Sequence, residues 1–142
     1  MFIENRQYRT DNLSVINDLR RILFSLYGNA SNIENLENII SRNIECIDIE
    51  FSFCDFSFIV KIKKTAMKKI RGFKHTPEFY YQIISNIFKE FVSSHEQEIL
   101  QALRMQYTDP YSVLQILYAH HSIMANLCHV TCIHDNILLI KL

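Results

Sequence analysis

The sequence has little of what loops and phosphate cradles are made from. Two glycines and two prolines in 142 residues are well below ordinary usage. That scarcity leaves little room for long linkers and argues against nucleotide sites built on glycine-rich turns. Tryptophan is absent, and the four cysteines, Cys46, Cys54, Cys128 and Cys132, are too few and too unevenly spaced for a disulfide framework. Reduced thiols are therefore expected, and with them a cytoplasmic location. No wholly apolar run approaches the roughly 20 residues that span a bilayer. The start Met1-Phe2-Ile3-Glu4-Asn5-Arg6 lacks the basic-then-apolar order of an export signal. Net charge is missing too: fifteen acidic and fifteen basic side chains cancel, so only local charge is informative.

What is present suffices for one core. A chain of this length with 49% hydrophobic residues is expected to form a single globular domain over residues 1–142. Twenty-one isoleucines and eleven asparagines beside five alanines are the composition of an AT-rich genome, for which viruses and mobile bacterial elements are candidates.

The periodicity then separates helices from strands. Thr10 or Asp11 caps a helix to about Tyr27 with Ile16, Leu19, Leu23 and Leu26 on one face, and Gly28 is placed to end it in a left-handed turn. Ser31 and Glu34 have the spacing of a capping box ahead of Ile33, Leu36, Ile39 and Ile40. After Asn43 the period drops to two: Ile47, Ile49, Phe51 and Phe53, then Phe56, Phe58, Val60 and Ile62, alternate with mostly polar residues. The parity switches at Cys54-Asp55. A two-residue loop there makes residues 44–63 an antiparallel hairpin that pairs Phe53 with Phe56, Phe51 with Phe58, Ile49 with Val60 and Ile47 with Ile62 on an apolar face, and a four-residue loop from Phe53 to Phe56, suited to the lack of glycine, keeps the same faces. Ser52 then faces Ser57, and Asp48 faces Lys61, on the other side.

Thr65 to Arg71 reads as a short helix closed by Gly72, with Met67, Ile70 and Phe73 inward. Thr76-Pro77 opens another helix that carries Tyr80, Ile83, Ile84, Ile87, Phe88 and Phe91. Ser94 with Gln97 restarts a helix containing Ile99, Leu100 and Leu103. Asp109-Pro110 starts one more, apolar on most sides, that ends near Leu127. Val130 to Leu142 reads as a second hairpin turning at His134-Asp135-Asn136. The expected fold class is α+β, mostly helical, in the order ααββ-helices-ββ, with two hairpins that can share one four-stranded antiparallel sheet.

Three constellations bear on function. Lys61, Lys63, Lys64, Lys68, Lys69, Arg71 and Lys74 hold seven positive charges without an acid among them, a stripe of the kind that tracks a phosphate backbone. Against it, residues 34–55 are rich in acids and the Asp48–Lys61 pairing compensates part of the charge. His120, His121, Cys128, His129, Cys132 and His134 have zinc-ligand chemistry but no Cys-x2-Cys pair, and His121 on the Leu114, Leu117, Met124 stripe suits a core histidine better. His95 beside Glu96, and His134 beside Asp135, are neighbours whose side chains diverge, so neither pair makes a general acid–base couple. Tyr80, Tyr81, Tyr107, Tyr111 and Tyr118 are available as interface anchors.

No catalytic residue, metal ligand or cofactor is therefore assigned, and the chain is not expected to be an enzyme. The expected function is binding to another protein, as in a toxin-neutralising immunity protein or a virus-encoded host-interaction protein, with Lys61, Lys63, Lys64, Lys68, Lys69, Arg71 and Lys74 as partner-binding candidates. The alternative is a nucleic-acid-binding module using residues 61–74. No membrane partner is expected. A homodimer, through a free strand edge or the opposed charge segments, is compatible with either reading.

Overall fold

A computed structural model describes residues 12–66, 77–120 and 124–142 of the chain. Helix α1 (Asn12–Tyr27) buries Val15, Ile16, Leu19, Leu23, Leu26 and Tyr27, the helical spacing that puts one stripe inward. Gly28 does not take the expected left-handed conformation. The chain passes directly into α2 (Ala30–Asn43), whose cap is Asn29 rather than Ser31: its side-chain oxygen accepts the Ser31 N–H at 2.8 Å. A cap two residues earlier than the Ser31-x-x-Glu34 spacing is possible because Asn29 already has extended backbone and a short acceptor. Helix α2 buries Ile33, Leu36, Ile39 and Ile40 and ends where Ile44 turns to extended backbone and enters the core.

Strands β1 (Cys46–Ser52) and β2 (Ser57–Ile62) form the expected hairpin. The register pairs Asp48 with Lys61, Ile49 with Val60, Glu50 with Ile59, Phe51 with Phe58 and Ser52 with Ser57. One expected pair within these strands fails. A bulge between Cys46 and Asp48 sets Cys46 against Ile62, and Ile47 is left 60% exposed. The extra residue is needed because Ile44, leaving α2, is itself drawn inside, so the strand must reset its parity before Asp48.

A short 3-10 turn, Lys64–Ala66, follows β2. The rest of the helix expected over 65–71, its closing Gly72, the inward Met67, Ile70 and Phe73, and the Thr76 cap lie outside the described residues. Helix α3 (Pro77–Ser94) opens at Pro77 as expected and buries Ile84, Ile87, Phe88, Phe91 and Val92. Ser94 does not begin the next helix; it closes α3, its hydroxyl donating to the Glu90 carbonyl at 2.8 Å. Helix α4 (Glu96–Leu103) starts instead behind His95, without a side-chain cap. Helix α5 (Pro110–Ala119) has the expected cap: Asp109 accepts from the Ser112 N–H at 3.2 Å, with Pro110 in the first turn. It stops at Ala119, well short of Leu127. Val113, Leu114 and Leu117 point inward, while Tyr111 and Ile116 are exposed.

Strands β3 (His129–His134) and β4 (Ile137–Lys141) make the second hairpin across Asp135-Asn136. The two hairpins share one antiparallel sheet in the order β1-β2-β4-β3, so the sequence-adjacent pairs meet through β2 and β4, with Phe58 opposite Ile140 and Val60 opposite Leu138. The fold is α+β. Phe58, Val60, Ile62, Leu138 and Ile140 share one core with the buried helix stripes. On the opposite face Asp48, Glu50, Ile59, Lys61, Thr131 and Lys141 are exposed, the arrangement of an antiparallel sheet with one solvated side. Among the described residues no helix is long and apolar enough to cross a membrane.

Candidate functional site

The turn of the first hairpin carries an aromatic group that its sequence does not advertise. Phe53-Cys54-Asp55-Phe56 connects β1 to β2 without a glycine, and reversal is achieved by placing Phe56 at φ 47°, the left-handed region that costs a non-glycine residue roughly 1–2 kcal/mol. Two contacts hold it there. The Phe56 carbonyl accepts the Leu142 N–H at 2.9 Å, tying the turn to the residue that follows the fourth strand. The Ser57 hydroxyl donates to the Asp55 carboxylate at 2.8 Å, and hydrogen bonds from Ser57 and then Ser52 hold that carboxyl below its ordinary pKa.

The ring of Phe56 consequently lies against three others, at centroid distances of 5.7 Å from Phe24, 6.3 Å from Tyr27 and 6.2 Å from Phe51. Phe51 in turn meets Phe53 edge-on at 4.8 Å. The group runs from a fully buried ring, Tyr27, to two open ones, Phe24 at 37% and Phe53 at 54% exposure. Scattered exposed apolar side chains are ordinary, whereas a contiguous set of rings is the composition of an interface anchor. Phe24 sits off the Leu19–Leu23–Leu26 stripe, and that misfit was the available signal. The turn geometry that unites it with Phe53 and Phe56 was not readable.

The basic stretch begins at the other end of β2. Lys61, Lys63 and Lys64 are exposed, and none makes an ion pair among the described residues. Lys61 stands opposite Asp48 in the ladder without forming an ion pair with it, and the Lys63 N–H donates to the Glu45 carbonyl at 3.0 Å. Lys68, Lys69, Arg71 and Lys74 lie outside the described residues. Acid and base therefore alternate at the base of the hairpin, some five residues of strand, roughly 17 Å, from the aromatic tip.

The histidine–cysteine inventory is spread out. Cys128 is buried; desolvation pushes its thiol up to about 12, against a smaller opposing pull from Arg20, and holds it protonated. Cys132 is exposed and its thiol donates to the His134 carbonyl at 3.1 Å. His120 and His129 are exposed, His134 accepts the Asp135 N–H, and His121 lies outside the described residues. Among the described residues no three His, Cys, Asp or Glu side chains converge on one point. His95 contacts Asn35 at 3.3 Å and stacks beside Phe91, joining α2 to α3, and faces Glu98 rather than its neighbour Glu96. Of the tyrosine anchors, Tyr107 is buried with its hydroxyl donating to Asp18 at 2.6 Å. Tyr118 donates to Glu96 at 3.2 Å, only Tyr111 is open, and the side chains of Tyr80 and Tyr81 lie outside the described residues.

Comparison with known proteins finds no matching family model, no matching curated protein and no matching solved structure.

Proposed function

We propose that this protein works by binding another protein, and that the aromatic hairpin tip is the docking surface. The observation that carries the reading is the continuous set of rings from Tyr27 through Phe56 and Phe51 to the open Phe24 and Phe53. Two exposed phenylalanines leave apolar area in water that a partner can cover, and rings already packed against a buried base lose little rotamer freedom on binding. Toxin-neutralising immunity proteins and virus-encoded host-interaction proteins are the kinds of molecule that work in this way. The test is affinity capture from the native host, comparing wild type with Phe53→Asp. A protein retained by wild type and lost by the folded variant supports the reading, and an unchanged capture profile removes it.

A second reading uses Lys61, Lys63 and Lys64, exposed at the strand end and without an ion pair among the described residues, to hold nucleic acid. Affinity for duplex DNA would then fall by about 0.9 log units per log unit of salt for each phosphate contacted. The triple change to glutamate at Lys61, Lys63 and Lys64 would abolish binding. No binding at low salt would eliminate this reading while leaving the first intact.

A further inference from the structure

We draw no further inference here: the strongest candidate, the outer face of the sheet, where Ile59 and Leu139 lie side by side between Glu50 and Thr131, carries none, because nothing in the structure shows what covers it and the exposed Lys61 and Lys141 on the same face suit it to water.

Discussion

Replacing Phe56 separates what its ring contributes from what its backbone costs. Phe56→Ala and Phe56→Gly both delete a half-buried ring that meets Phe24, Tyr27 and Phe51. Deleting a fully buried phenylalanine costs about 3–5 kcal/mol, so a half-buried one should cost about 2. Alanine keeps the left-handed strain that φ 47° imposes, roughly 1–2 kcal/mol. Glycine relieves that strain but gives back about 0.4–1 kcal/mol through a more flexible unfolded chain. Phe56→Gly should therefore be more stable than Phe56→Ala by roughly 0.5–1 kcal/mol, although glycine is usually the poorer residue. With a urea slope of about 2 kcal/mol per molar, the two unfolding midpoints should differ by about 0.3–0.5 M. An alanine variant as stable as the glycine variant, or more so, would refute the strained turn and the aromatic packing argued from it.

Other consequences are open to direct measurement. Asn29→Ala should cost about 1 kcal/mol in urea unfolding, as should Asp109→Ala, whereas Ser31→Ala should be close to neutral; the reverse order at 29 and 31 would restore the Ser31 capping box. Thiol titration of the native protein should modify Cys54 and Cys132 rapidly and Cys128 only on unfolding, and prompt labelling of Cys128 would contradict its burial. Cys128 also sets an alkaline limit: its thiol titrates near 9 unfolded and about 12 folded, so the unfolded chain loses its proton first. The stabilisation is complete below pH 9 and is lost up to pH 12, with an upper bound of about 4 kcal/mol. Burial raises the Tyr27 hydroxyl in the same direction, so a melting temperature that stays flat from pH 9 to 12 would count against both. Gly28→Ala should be neutral or slightly stabilising, because the added methyl meets only the Ser25 carbonyl at 3.7 Å.

Much of the fold could be read from alternation and punctuation. The hairpin register from Asp48 to Ser57 follows from a clean period of two, and the start of α5 follows from Asp109-Pro110. The failures have common physical causes. Ile47 continues the alternation perfectly, but the pattern cannot register that Ile44, arriving from a helix, takes the inward place and forces a bulge. The end of α5 is invisible because no glycine or proline follows Ala119, and Met124, Ala125, Leu127 and Cys128 beyond it are buried too, so the apolar pattern runs on past the break at His120. The site was the least legible part. Its rings come from α1, from β1 and from a turn, and only the left-handed step at Phe56 brings them into contact. The basic stretch, by contrast, was obvious in sequence because charge density needs no tertiary information.

The docking role of the hairpin tip can be tested by placing a photo-cross-linking phenylalanine analogue at position 53 and, as a control, at the exposed Asn38 of α2. Irradiation in host extract should yield one defined protein adduct from position 53 and none from position 38. Equal labelling at both positions, or adducts to nucleic acid alone, would contradict the proposal.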